Sequence, residues 1–276
     1  MRNLYILIIF FMFIMRKEEL ILGASSALSF WSKNLFPILF PTFIIVDLLL
    51  SSTLIKYVSD ILGFFFKKVF RTSKSASFVF ILSMLSGTPT NVKILKRMYD
   101  NGSISSKDIT KILSFTFFFN PFLIISFAGI KVLLIIWISN ILTGIILRNF
   151  YVSEEVKTSS ISIPFSLQES TRINMDIMLN ILGTITVFMC LSYIIPFISP
   201  LFNALSSSFL ELSTALYKNK LYFSSEYIYI FMLAIGGVSI FMQIKSILKD
   251  TLIDYKFIVL SRIITLIIAL LICFLT

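Results

Sequence analysis

The chain has 276 residues, 57% of them hydrophobic and only 14% charged, and its mean hydropathy of +0.95 lies far outside the range of soluble globular domains. Its net charge of +10 arises from 24 Lys and Arg spread over short connections between apolar runs, so they read as topology signals and argue against a nucleic-acid-binding stripe. His is absent, which removes the usual general base and the commonest metal ligand, and Cys190 and Cys273 lie inside apolar runs; a hydrolase, a metalloenzyme and a disulfide framework are all disfavoured.

The apolar stretch Leu4 to Met15 imitates a signal peptide, but Arg16-Lys17-Glu18-Glu19 follows directly and several spans come later, so a short, retained first membrane helix is expected. A helix needs about 20 apolar residues to cross the hydrocarbon core. Leu35 to Leu50, Val132 to Leu147, Ile177 to Ser199 and Phe257 to Phe274 approach that length and are predicted as full or nearly full spans.

Three segments between them are interrupted. Ala76 to Leu85 stops at Ser86-Gly87-Thr88-Pro89-Thr90-Asn91, Ile112 to Ile130 carries Asn120-Pro121 at its centre, and a later run is broken at Gly236-Gly237. Lipid cannot satisfy non-helical backbone, so each interruption must be sheltered by protein or line a polar cavity. Lys67, Lys68 and Arg71 precede the first break while Lys93, Lys96 and Arg97 follow it. If both basic segments are cytoplasmic, residues 76–91 enter and return on one face, as a hairpin turning at Gly87-Thr88-Pro89. The alternative, one kinked span through Ile94 to Tyr99, places Lys93 and Lys96 at a costly depth.

The most polar stretch, Val152 to Arg172, holds Glu154, Glu155, Pro164 and Glu169 and divides the chain near its midpoint. The predicted organisation is an N-terminal membrane half (1–150) with the Ser-Gly-Thr-Pro and Asn-Pro breaks, a polar linker (151–172) and a C-terminal membrane half (173–276) with Glu211 and the Gly-Gly break. The segment from Tyr99 to Asp108 before Asn120-Pro121 is faintly similar to that from Tyr217 to Glu226 before Gly236-Gly237. Duplication explains this, and so does chance similarity of apolar sequence. The fold class is thus all-α, a polytopic membrane protein with broken or re-entrant helices and two halves that could be related.

Acids at membrane depth are functional candidates because their insertion is costly. Asp47 stands late in its span and is expected at a solvated helix end, and Asp176 at an interface. Glu211 has no adjacent cation; it either accepts hydrogen bonds from a ligand or half-helix N-terminus, or faces water on an amphipathic helix in the interface. Asn120 before Pro121 offers a donor and an acceptor to a solute, or else satisfies a neighbouring helix at a Pro kink. With Thr88 and Asn91 at the first break and Gln243 beyond the third, the candidate substrate-binding set is Asn120, Glu211, Thr88, Asn91 and Gln243, and the structural breaks are Gly87, Pro89, Pro121, Gly236 and Gly237. No catalytic residue, metal ligand or cofactor motif is indicated. The runs Phe64-Phe65-Phe66 and Phe115 to Phe119 are expected to face lipid or pack helices.

Trp31, Leu35-Phe36-Pro37-Ile38-Leu39-Phe40-Pro41, Ser86-Gly87-Thr88-Pro89, Asn120-Pro121, Phe209-Leu210-Glu211 and Gly236-Gly237-Val238-Ser239 with Gln243 occur in an order that resembles the YlbJ-like sporulation integral membrane proteins of the nucleoside-recognition (Gate) domain family. The resemblance covers roughly residues 25 to 265. It implies a multi-pass inner-membrane protein of a spore-forming bacterium, needed for the spore cortex, in the mother-cell-derived membrane around the forespore. Implied partners are the lipid bilayer, a small polar solute (nucleoside-like or a cortex precursor) and other sporulation membrane proteins, with no nucleic acid. The alternative is a membrane scaffold that organises cortex-building proteins. An enzyme acting on lipid-linked precursors would need more than Glu211 alone.

Overall fold

A computed structural model describes residues 11, 13–151, 165–195, 198–222 and 225–276. Among the described residues 82% are helical and none is in a strand. Among those residues five helices are long and apolar enough to cross a membrane: Lys17–Leu50, Pro121–Ile146, Leu167–Ile194, Glu226–Ile247 and Tyr255–Leu275. The protein is a multi-pass membrane protein.

Helix α1 (Lys17–Phe30) passes through a π turn (Trp31–Leu35) into α2 (Phe36–Leu50), so the first described span starts well before the expected Leu35. The π turn falls just before Pro37 and Pro41, which lack the N–H groups that would continue the α ladder, and the indole of Trp31 donates to the carbonyl of Met178 there. Most of the helix expected over Leu4 to Met15 lies outside the described residues, as does 152–164 of the linker. Residues Leu167 to Arg172 of that linker are instead the first turns of α8 (Leu167–Ile194), capped by Ser166. Helix α8 runs antiparallel to α1 and α2. A Cβ on Gly23 would lie 2.8 Å from Cα of Cys190, so the absence of a side chain lets the two backbones meet. Ala27, Leu39, Phe43, Met178, Ile181 and Ile185 give this helix pair its own small core.

Helix α3 (Leu54–Val69) exposes Ile61, Phe64 and Phe65 and ends in Lys67 and Lys68, the pattern of a helix lying in the membrane interface. Next come α4 (Ala76–Ser86) and α5 (Thr90–Asp100), which form a hairpin, and then α6 (Ser106–Phe115), opened by a capping box of Ser105 and Asp108. Non-helical residues 116–120 lead to α7 (Pro121–Ile146), whose course changes at Gly129 (φ 82°, ψ 172°). After α8, a pair of short helices, α9 (Pro200–Leu210) and α10 (Leu212–Tyr222), is separated by Glu211 alone. A broken helix, α11 (Glu226–Ile235) and α12 (Gly237–Ile247), and a final span, α13 (Tyr255–Leu275), complete the chain. Hairpin, broken helix and long span thus occur in the same order twice, and the two long spans pack together through Thr143 and Thr265, whose hydroxyls are 2.9 Å apart.

Three connections meet α6 at one end of the bundle. The ammonium of Lys111 donates to the carbonyls of Arg71 and Tyr151, the Tyr151 hydroxyl donates to Asp254 (2.7 Å), and the Asp254 N–H donates to Thr110 (3.1 Å). Lys67, Lys68, Arg71, Lys107, Arg148 and Lys249 cluster along these connections, which makes this end cytoplasmic by the positive-inside rule. The α4–α5 hairpin starts after Arg71 and returns to the loop before Thr110. It therefore enters and leaves on one face, and the kinked-span alternative does not hold.

Candidate functional site

The helix interruptions converge. Gly87 ends α4 with φ 77° and ψ −176°, a conformation open to glycine, and a Cβ there would fall 2.4 Å from the backbone nitrogen of Asn120. Thr88 N–H donates to the carbonyl of Phe118 (2.6 Å), and the Asn91 amide donates to that of Thr116 (2.7 Å). The hairpin tip is thereby locked onto the non-helical segment 116–120. Asn120 in turn caps α7: its Oδ1 accepts from the N–H groups of Phe122 (3.0 Å) and Leu123 (3.2 Å), while Pro121 occupies the first helical position, where no donor is needed.

The second pair of breaks meets the first. A Cβ on Gly236 would come 2.7 Å from the ring of Phe117, and one on Gly237 would come 3.1 Å from the carbonyl oxygen of Ser208, beside Glu211. Glu211 is extended (φ −148°, ψ 122°), 2% exposed, and accepts from the N–H of Thr214 (2.7 Å) at the start of α10. The interfacial-helix alternative for Glu211 is thus overturned. The run from Leu201 to Tyr217, which looks continuous in sequence, is broken at this acid because its carboxylate takes over the capping of the next helix.

Four helices, α5, α7, α10 and α12, therefore begin at this convergence with their partly positive N-termini, and those of α5 and α12 have no side-chain cap. The hydroxyls of Thr88, Thr90 and Thr214 are buried there without a hydrogen-bond partner among the described residues. Such a centre can hold a polar or partly charged solute by dipoles and hydroxyls. Thr88, Asn91, Asn120 and Glu211 all stand at the breaks; Gln243 stands apart, beyond Gly237 on α12, where its amide donates to Ser239 (3.3 Å). Gln243 instead lines a cavity of about 510 Å³ between α5, α8 and α12. Its other walls are Lys93, Lys96, Arg97 and Asp100, then Ile173, Asp176, Ile177, Asn180 and Ile181, and lastly Ser246, Ile247 and Lys249.

Asp47 is not at a solvated helix end. It is 1% exposed and pairs with Lys93 (2.7 Å) and Arg97 (2.7 Å), and it accepts from Ser170 and from Asn174 (2.9 Å). Lys93 also donates to the carbonyl of Phe43 (3.0 Å), so its burial is matched by an anion and a carbonyl. The readable trace of this network is spacing: Lys93 with Arg97 and Ser170 with Asn174 each stand four apart, on one helix face. Sequence reasoning also passed over Arg262, the buried cation of the last span. It is 2% exposed, donates to Oδ1 of Asn140 (2.9 Å) and the carbonyl of Ser114 (2.6 Å), and lies 4.6 Å from the Phe117 ring centroid. Ser114 is in the last turn of α6, so the guanidinium satisfies a helix C-terminus inside the bundle.

Phe115, Phe117, Phe118 and Phe119 are buried packing residues and Phe64 and Phe65 are exposed, in keeping with the two roles expected of the Phe runs. No group of three or more His, Cys, Asp or Glu that could hold a metal ion occurs among the described residues.

No solved structure matches the chain. The sporulation integral membrane protein YlbJ of Bacillus subtilis (strain 168) is 27% identical over 143 residues, covering 48% of this chain and 35% of that protein, so the match spans about a third of the relative's length. Residues 32–139, from the π turn through the α4–α5 hairpin, the Asn-Pro break and most of α7, match the family model of the Gate, or nucleoside recognition, domain.

Proposed function

We propose that this protein is a transporter-like membrane protein of sporulation that binds a small polar solute, nucleoside-like or a cortex precursor, where its four helix interruptions meet, and that it serves spore cortex formation by binding and passage, not by covalent chemistry. The observation that carries this reading is the convergence itself. Gly87 meets Asn120, Gly236 meets Phe117 and Gly237 meets Ser208, so four half-helix N-termini start at neighbouring breaks that also carry Glu211 and the unpartnered hydroxyls of Thr88, Thr90 and Thr214. Interrupted helices that meet midway through a repeated arrangement are the usual frame of a transporter site. The similarity to a sporulation protein and to a nucleoside-recognition domain agrees with both parts of the proposal.

A second reading, a scaffold that organises cortex-building proteins, is favoured by one observation: Asn91 and Asn120 already spend their side chains on backbone groups of this chain. Thr88→Val and Glu211→Gln separate the two. The Thr88 hydroxyl has no partner among the described residues, so its removal leaves the fold unharmed. In a spore-forming host lacking its own copy, loss of heat-resistant spores from either variant at normal membrane abundance supports solute binding. Wild-type spore counts from both favour the scaffold.

A further inference from the structure

We infer that the cavity between α5, α8 and α12 binds the phosphate group of a small phosphorylated solute entering from the cytoplasmic side. This rests on the solute-binding reading above and names the chemical class of the solute.

Lys93, Lys96, Arg97 and Lys249 line the cavity against only two carboxylates, Asp100 and Asp176. Asp47 behind the wall has a single charge to share between Lys93 and Arg97, and Asp100 is taken by Lys96. Positive charge is therefore left over on the wall. Arg97 engages Asp47 through Nη1, which leaves the rest of its planar fork of N–H groups for an oxyanion, and Asp47 holds that fork in place. Lys249 makes no ion pair among the described residues and stands exposed at the cavity rim.

The remaining walls suit the rest of such a solute. Ile173, Ile177 and Ile181 recur along one face of α8 as an apolar side, while Asn180, Gln243 and Ser246 offer hydrogen bonds to hydroxyl or amide groups. A volume of about 510 Å³ lies within the usual range for small-molecule sites. Helices α5 and α12 both run from the converging breaks to this cavity, so a solute held here lies on the route to them.

A phospholipid headgroup presents the same chemistry, and the experiment distinguishes the two sources. The purified full chain in neutral detergent is titrated calorimetrically with uridine monophosphate against uridine, with glycerol phosphate against glycerol, and with inorganic phosphate. It is also reconstituted in nanodiscs of phosphatidylcholine with and without phosphatidylglycerol, and its melting followed. Phosphorylated probes should bind at least about tenfold tighter than their neutral twins, and Lys249→Gln and Arg97→Gln should each weaken them about tenfold. Lys249→Gln lies outside the Asp47 network, so it reports on binding even if Arg97→Gln fails to fold. Equal binding of ester and neutral twin, indifference to Lys249→Gln, or no binding of any probe overturns the inference. A response to phosphatidylglycerol alone, lost in Lys249→Gln, assigns the cavity to lipid and also overturns the solute. Lys256→Gln, at an exposed cation outside the cavity, should leave phosphate binding unchanged. The sporulation assay reads the converging breaks and this titration reads the cavity, so failure of one and failure of the other are separate results.

Discussion

The ammonium of Lys93 lies 2.7 Å from Oδ1 of Asp47, with 3% and 0% of the two side chains exposed. The pair joins the α4–α5 hairpin to the α1–α2 and α8 helices, because Asp47 belongs to α2 and its other donors, Ser170 and Asn174, to α8. Removing one partner of a buried pair leaves an uncompensated charge. Asp47→Ala should cost about 3–5 kcal/mol, and pairing it with Lys93→Met should recover part of that loss. Thermal melts of the purified variants in one detergent check this, and a double variant no better than Asp47→Ala contradicts it.

Gly87→Ala and Gly102→Ala form a controlled comparison, since both glycines have positive φ, 77° and 68°. The new Cβ at residue 87 would sit 2.4 Å from the nitrogen of Asn120, whereas nothing lies within 4 Å of one at residue 102. Gly102→Ala should lose only the left-handed backbone penalty, about 1 kcal/mol. Gly87→Ala should lose that and the docking of the hairpin tip, seen as clearly lower membrane abundance.

Arg262 holds the carbonyl of Ser114 and the side chain of Asn140 together. Arg262→Ala strands both acceptors away from water and opens a void against Phe117, so a loss of at least about 2 kcal/mol is expected from the unpaired groups alone. Protease resistance at the 116–120 segment, measured in membranes, should fall in this variant and remain normal in a control substitution of exposed Lys256.

The contact of Tyr151 with Asp254 predicts a pH dependence on both sides of neutrality. The Tyr151 hydroxyl, followed by the Phe257 N–H, holds the Asp254 carboxyl below its ordinary value of 3.8, and the same contact, aided by some burial, raises the Tyr151 hydroxyl above 10.0. A depressed carboxyl stabilises fully above 3.8 and loses that contribution as pH falls through its folded value; a raised phenol stabilises below 10.0 and loses it as pH rises through its own. Tyr151→Phe should therefore flatten the melting temperature against pH at both extremes while staying slightly below wild type near neutrality. Parallel curves for the two proteins would contradict the assignment.

The interruptions at Gly87-Thr88-Pro89, Asn120-Pro121 and Gly236-Gly237 were legible because Gly and Pro act on their own backbone, within a few residues. The break at Glu211 was hidden by its apolar neighbours. Nothing local marks a residue that breaks a helix by capping the next one, and only the approach of Gly237 to Ser208 and Leu210 shows the chain turning there. Asp47 was misplaced for a related reason. Its position near a helix end suggested water, while its partners, Lys93 and Asn174, lie far along the chain.

The sequence by itself determined that this chain lives in a membrane, which four apolar runs belong to full spans, and where three of its helices stop. Those properties depend on apolar length and on the local demands of Gly and Pro. Only the tertiary structure decided that the interruptions share one centre, that Asp47 is neutralised from across the bundle, and that Lys93, Arg97 and Lys249 border one cavity with Gln243. Pairings between distant helices depend on how the faces of those helices pack, and charge and packing act through space without regard to separation along the chain.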